Sequence, residues 1–246
     1  MNPWPAHFWA SSPERLAIAA AVTLGFSAFA RVLRGVSPSG ALAGGLACFL
    51  LFVGAGPAAF VALGALFAMT WLSTRLGYSR KQALGLAERR EGRSAWQVLA
   101  NLAVPSIGSV FYGATGNRAW LVASVAALAE AAIDTVASEI GQVGRVDARS
   151  ITTCQRVPAG TDGGITPTGC IAGGAAGFLL ALLSAAGGLL PGSQIWIAVS
   201  AGFFGMLFDS LLGATVQRRG WIGNQAVNLI ATLAAATVAY AVLLLG

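Results

Sequence analysis

Apolar positions in this chain fall in long unbroken runs, not in the two-residue alternation of strands or the one-sided stripe of a surface helix. Eight runs, near 16–33, 39–54, 57–74, 95–113, 118–140, 169–190, 194–214 and 223–245, each approach the roughly twenty residues that a helix needs to cross a bilayer. The pattern predicts an all-α fold: a polytopic membrane helix bundle of about eight spans, forming one integral membrane domain over 1–246. The second and third runs are short and parted only by G-A-G-P. They also read as one helical hairpin or a re-entrant pair, which sets the range at six to eight spans.

The polar interruptions are charged on one side only. Arg31 and Arg34, then Arg75, Arg80, Lys81, Arg89, Arg90 and Arg93, then Arg145, Arg149 and Arg156, then Arg218 and Arg219 occupy alternate connections, and loops rich in Lys and Arg stay cytoplasmic. The other connections, around 54–57, 113–118 and 187–193, carry almost no charge. Both termini are therefore expected outside, in a multi-pass protein of the inner (cytoplasmic) membrane. Composition agrees, with 56% hydrophobic residues against 10% charged, where a globular domain carries about a quarter charged. The opening M-N-P-W-P-A-H-F-W-A lacks the basic n-region of a secretory signal, so the first run is expected to be retained as a helix. The net charge of +6 belongs to the loops; it calls for no nucleic acid and suits anionic headgroups or nucleotide phosphates.

Scarce residues exclude several chemistries. The single histidine, His7, lies in the N-terminal tail, and Cys48, Cys154 and Cys170 form no close pair. Zinc, haem and Ser/His/Asp hydrolysis therefore lose their usual residues. The only lysine, Lys81, follows no G-x-x-x-x-G stretch, so phosphate chemistry here proceeds without a Walker A loop.

Carboxylates inside spanning segments are rare and usually face a water-filled cavity, a metal or an ion path. The run from Ala119 contains Glu130, Asp134 and Glu139, and the run from Ile195 contains Asp209. Under the charge-derived topology both runs go from outside inward, and at about 1.5 Å rise per residue Asp134 stops about 9 Å short of Ile140. Glu130 and Asp134 are four apart and share a helix face, whereas Glu139 joins them only if the helix end loosens. Asp134, Glu139 and Asp209 are the candidate metal ligands, and such hard oxygen donors suit Mg²⁺. Glu130, Ser138 and Ser210 stand beside them in a supporting role.

Between these runs lies the longest polar loop, G-Q-V-G-R-V-D-A-R-S-I-T-T-C-Q-R-V-P-A-G-T-D-G-G-I-T-P-T-G, starting at Gly141, with 141–168 as its cytoplasmic Gly-rich body. Gly160, Gly163 and Gly164 allow backbone N–H groups to approach an anion, Thr161 and Thr166 add hydroxyls, and Arg145, Arg149 and Arg156 add positive charge. The turn Gly160, Thr161, Asp162, Gly163 and Gly164 is therefore the candidate nucleotide cradle. At the entry to the fourth run, Arg93, Gln97 and Asn101 recur every four residues, and Asn224 and Asn228 repeat the spacing at the last; they either bond a neighbouring helix or line the same cavity. Gly169, Gly173 and Gly177 also repeat every four residues and read as a close helix-packing face.

Four segments in this order, G-R-S-A-W-Q-V-L-A-N at 92–101, A-I-D-T-V-A-S-E-I-G at 132–141, V-P-A-G-T-D-G-G-I-T-P-T-G at 157–169 and G-M-L-F-D-S-L-L-G-A-T-V-Q at 205–217, resemble the integral membrane family of phytyl-phosphate kinase and transmembrane protein 19 (domain of unknown function 92). The layout of an Asp helix, a basic Gly-rich loop and an Asp-Ser helix is more distantly similar to CTP-dependent polyprenol kinases and CDP-diacylglycerol synthases. Those enzymes carry lysines in the loop, where this chain offers Arg156. The resemblance implies a membrane kinase that transfers a phosphoryl group from a nucleoside triphosphate, CTP favoured, to an isoprenyl (phytyl-like) monophosphate, with Asp134, Asp209 and Arg156 as catalytic groups and Mg²⁺ as cofactor. The partners implied are the bilayer and the prenyl monophosphate, with a homo-oligomer left open. Alternatives are a cytidylyltransferase forming a CDP-lipid, or a secondary transporter, which would need polar residues along a full transmembrane path.

Overall fold

The computed structural model of the protein describes residues 12–144 and 147–245; His7 and Arg145 lie outside them. Eight helices among these residues are long and apolar enough to cross a membrane: α1 (Pro13–Val32), α2 (Pro38–Ala55), α3 (Pro57–Arg75), α5 (Ala95–Thr115), α6 (Arg118–Val143), α7 (Pro167–Ala186), α8 (Ile195–Leu212) and α9 (Asn224–Leu245). A short helix, α4 (Tyr78–Ala83), precedes α5, and a π-helical turn, Gly213–Gln217, extends α8. The protein is a multi-pass helical membrane protein.

Local sequence sets the boundaries. Proline stands in the first turn of α1, α2, α3 and α7, where its missing N–H costs nothing. Ser37 and Thr166 cap α2 and α7 by accepting from the amides of Gly40 and Gly169. A capping box joins Ser94 and Gln97 at α5, a motif that satisfies two otherwise orphaned donors. The second and third runs are two separate helices, each long and apolar enough to cross a membrane: Gly56, at φ 79°, ends α2 in a conformation open to glycine, and Pro57 begins α3 at once.

The 26-residue α6, about 39 Å long at the usual rise, is the axis of the bundle. It touches α3, α4, α5, α7, α8 and α9, and most of its residues are buried. Helices α7 and α8 approach it through glycine. A Cβ at Gly173 would lie 2.6 Å from the carbonyl oxygen of Ile133, and one at Gly202 2.9 Å from the amide nitrogen of Glu130. Helix α1 packs chiefly on α2.

The basic connections meet at one end of the bundle. Gly77 abuts Val143, Gly160 abuts Leu86, and Gly163 abuts Ser210 and Ala214, which joins the connections after α3, α6 and α8. Residues 147–166 are not a plain loop. Strand β1 (Ala148–Ser150) pairs antiparallel with β2 (Arg156–Val157) and β3 (Gly164–Ile165) in the order β2-β1-β3. Exposed Trp96 and Trp221 lie at this basic end, and exposed Trp196 starts α8 at the other. This is the paired belt expected where helices leave a bilayer.

Candidate functional site at the basic end

Five elements converge on a polar cavity of about 330 Å³ at the basic end. Helix α6 contributes Asp134, Thr135, Ser138 and Gln142, helix α8 contributes Asp209 and Ser210, and helix α9 contributes Asn224 and Asn228. The turn Gly160–Gly164 closes it from above, and Arg93, Gln97 and Asn101 form the wall toward α5. The residues singled out in sequence by acidity, by glycine content and by a four-residue polar spacing therefore share one cavity.

Arg93 is the cation fixed in this wall. Its amide donates to the carbonyl of Gly35 at 3.1 Å and its own carbonyl accepts from Ser37 at 2.9 Å, in a parallel bridge with Val36. Glycine is required beside it: Gly92 has φ 86° and a Cβ there would lie 2.5 Å from the Val36 amide nitrogen. The α1–α2 turn thus holds Arg93 by its backbone and leaves the guanidinium free to act electrostatically on Asp134. Gln97 donates to Glu88 at 2.9 Å and accepts from the Ser94 amide at 2.8 Å. Asn101 donates to the Gln97 carbonyl at 2.9 Å, and its buried Oδ1 has no hydrogen-bond partner among the described residues.

The acidic side is short of donors. Among the described residues, Asp209 keeps a buried Oδ2 with no partner, and Glu130, one turn deeper on α6 than Asp134, is buried with both oxygens unpartnered. An unsatisfied buried carboxylate is costly in a membrane interior. Among the described residues no three His, Cys, Asp or Glu side chains lie close enough together to hold a metal ion, so the expected ligand set of Asp134, Glu139 and Asp209 does not form. Glu88, Glu139 and Asp162 also line the cavity, Glu88 engaged by Gln97 and Glu139 by Lys81; Asp134 and Asp209 remain as the pair carried on α6 and α8, and Asp209 has an uncommitted oxygen. That matches the one or two carboxylates Mg²⁺ takes when phosphates and waters complete its shell.

Glu139 borders the cavity, but its carboxylate is engaged elsewhere. Helix α6 runs on unbroken to Val143, and five residues at about 100° each turn Glu139 about 140° away from Asp134. There Glu139 meets Lys81 at 2.5 Å through Oε2 and accepts from Thr74 at 3.0 Å through Oε1. Lys81, fully enclosed, also donates to the carbonyls of Ser73 and Thr74 at 3.1 and 2.7 Å. All three of its donors are used, so the pair ties α4 to α3 and α6.

Arg156, by contrast, lies apart from the cavity. On β2 it pairs with Arg149 of β1, and its exposed guanidinium meets exposed Asp147 at 3.2 Å. Sequence position put it in the loop but not on the face of the small sheet. The glycines of the turn have a packing duty: a Cβ at Gly163, where φ is 69°, would lie 2.4 Å from the Ser210 carbonyl oxygen. Thr161 donates its amide and hydroxyl to the Pro158 carbonyl, and the Gly164 amide bonds the Thr161 carbonyl. The turn is thereby clamped onto α8 beside Asp209, with Asp162 adding negative charge near it.

A sequence profile of the integral membrane protein DUF92 family matches residues 21–236, nearly the whole chain. The chain belongs to the DUF92 family. It is 34% identical to an uncharacterized membrane protein of Synechocystis sp. over 68% of its own length and 66% of that protein's, and 35% identical to one of Methanocaldococcus jannaschii over 75% and 76%. It is also 30% identical to the chloroplastic protein VTE6 of Arabidopsis thaliana over 81% of its own length and 62% of that protein's. No solved structure matches it. Within this DUF92 chain the matched span includes every cavity residue named above.

Sequence reasoning missed Glu88 and Gln142, both of which line the cavity. Glu88 sits in a charged stretch, G-L-A-E-R-R-E-G, that reads as an ordinary solvated loop. The capping-box spacing of Ser94 and Gln97 was the available signal that this loop folds back onto α5.

Proposed function

We propose that this protein is a membrane-embedded phosphotransferase that moves the γ-phosphoryl group of a nucleoside triphosphate, CTP favoured, onto an isoprenyl monophosphate to give the diphosphate. The observation that carries the reading is the convergence of Asp134, Asp209, Arg93 and the Gly160–Gly164 turn on one polar cavity at the basic end of the bundle. The family resemblance supplies the substrate class.

An oxygen of the acceptor monophosphate attacks the γ-phosphorus, the bond from the γ-phosphorus to the bridging oxygen breaks, and the nucleoside diphosphate leaves. The attacking oxygen is already ionised at neutral pH, so a cavity built without histidine is no obstacle. Arg93, pinned by backbone, neutralises charge between acceptor and donor, and the amides of Gln97, Asn224 and Asn228 orient phosphate oxygens. Asp134 and Asp209 would hold Mg²⁺, which supplies charge neutralisation at the donor phosphates when bound. Glu130 supports them from beneath, and Ser138 and Ser210 border the same wall.

The test is incubation of purified protein with Mg²⁺, each nucleoside triphosphate and a panel of prenyl alcohols and monophosphates, followed by mass detection. A prenyl diphosphate with release of nucleoside diphosphate is expected. A CDP-lipid with pyrophosphate would replace kinase by cytidylyl transfer, and no product with any donor would return the chain to the transporter class.

A further inference from the structure

A second cavity, of about 490 Å³, adjoins the first on the side of α1 and α3. Its walls are apolar: Phe26 and Ala30 of α1, Leu63, Leu66 and Phe67 of α3, and Leu102 of α5. Its volume lies within the roughly 300–1,000 Å³ of ordinary ligand pockets. Its mouth is the opposite in character, lined by Arg34, Arg75, Arg89, Arg90 and Arg93 with Glu88 as the acidic residue among them. Arg75 donates to the Leu33 carbonyl at 2.7 Å and stacks on Trp71 at 4.2 Å. Arg34 holds φ 53°, a strained conformation for a residue with a side chain, and such strain gathers at ligand clamps.

The two cavities share Glu88, Arg93, Gln97, Asn101 and Thr135. The two cavities therefore meet along this shared wall, with the apolar chamber and its arginines on one side and Asp134 and Asp209 on the other. We infer that the apolar chamber holds the hydrocarbon chain of a single-chain lipid monophosphate, with its phosphate on the Arg93–Gln97–Asn101 sill, and that Phe26, Leu63 and Phe67 set the chain length accepted. Charge complementarity selects this occupant: a chamber with an arginine mouth fits an anionic head on one apolar tail. Helices α1 and α3 meet through phenylalanine rings, Phe26 lying 5.4 Å from both Phe60 and Phe67. Because lipid tails solvate a prenyl chain as well as leucine does, the chamber selects by shape more than by hydrophobic gain.

The chemical fate of the bound lipid rests on the phosphotransferase reading, but binding is tested separately from turnover. Gly44 of α2 lines the chamber, and a Cβ there meets only Val98, at 3.8 Å, so Gly44→Phe fills the space without a backbone clash. Leu63→Ala enlarges it. Equilibrium binding of a series of prenyl monophosphates of increasing length would be measured on the full chain in lipid nanodiscs, beside prenyl alcohols, phosphatidic acid and Mg²⁺–CTP.

Wild type should prefer one chain length and favour the monophosphate over the alcohol and over two-chain phosphatidic acid. Gly44→Phe should lower affinity for that chain on the order of tenfold or more and shift preference to shorter chains. Leu63→Ala should shift it to longer ones, with Mg²⁺–CTP binding unchanged in both. Unaltered chain preference in both folded variants, or equal binding of alcohol and monophosphate, overturns the inference. Chain-length shifts without any phosphoryl transfer would uphold the chamber and sink the kinase reading instead.

Discussion

Gly173 on α7 sits so near α6 that a Cβ there would come 2.6 Å from the Ile133 carbonyl oxygen, whereas Gly25 on α1 and Gly64 on α3 would meet nothing within 4 Å. The contrast separates α7 from α1 and α3, while α2 shares the close approach, a Cβ at Gly54 lying 2.3 Å from the Ser109 carbonyl oxygen. Around α6, glycines on α7 and α8 let backbones touch, and the carboxylates lie in this tight half. Around α1 and α3, contact passes through the rings of Phe26, Phe60 and Phe67, and an apolar chamber remains. Burying leucine gains little against lipid, so helix association in a bilayer relies on close backbone packing. Here such packing surrounds the helix that carries Glu130 and Asp134 and is relaxed at Gly25 and Gly64, beside the chamber.

The severest way to break the contrast is at the seam between the halves. Lys81→Met leaves the mostly buried Glu139 without its cation and should cost about 3 kcal/mol of stability, read as a lowered unfolding midpoint in detergent. Lys81→Met combined with Glu139→Leu should recover most of it. A single variant that melts like wild type would show that the strut holds nothing.

Within the tight half, Asp134→Asn and Asp209→Asn keep side-chain volume but remove charge. Each should reduce turnover on the order of 100-fold or more with an unchanged melting midpoint, and Glu130→Gln should be milder. More than about a tenth of activity surviving in both aspartate variants would demote them to packing groups.

The packing difference itself predicts opposite signs. Gly173→Ala should destabilise by about 1–3 kcal/mol through overpacking, and Gly64→Ala should be neutral or stabilise by up to about 1 kcal/mol through helix propensity. Thermal denaturation of the two side by side checks this, and equal shifts would erase the distinction drawn between the halves.

The smallest effect is expected at Arg156→Ala. Its pair with Asp147 is exposed on both sides and should contribute less than about 1 kcal/mol. Turnover should change far less than in Arg93→Ala, with nucleotide affinity as the measurement. If Arg156→Ala weakens nucleotide binding as much as Arg93→Ala does, the sheet swings over the cavity during the reaction.

The spans were legible in the sequence because length and apolarity alone define them, and alternate basic loops fixed which ends belong together. Asp134, Asp209 and the Gly160–Gly164 turn were legible because their chemistry is conspicuous in an apolar chain. Glu139 does border the cavity, but its engagement by Lys81 was not legible, because that partner is 58 residues away and no local spacing announces the pair. Arg156 was misread because a three-stranded sheet, invisible in a Gly- and Thr-rich loop, decides which way it faces. The apolar chamber left no trace at all, since Phe26, Leu63 and Phe67 look in sequence like any lipid-facing residues.

Lys81 is the only side-chain amine in the chain, and it is sealed from solvent. An acylating reagent therefore finds no lysine target while α4 stays docked, and the rate at which Lys81 becomes modified measures how often that helix lifts. The protein thus carries its own chemical clock for motion at the threshold of both cavities, readable by mass spectrometry without introducing a label site.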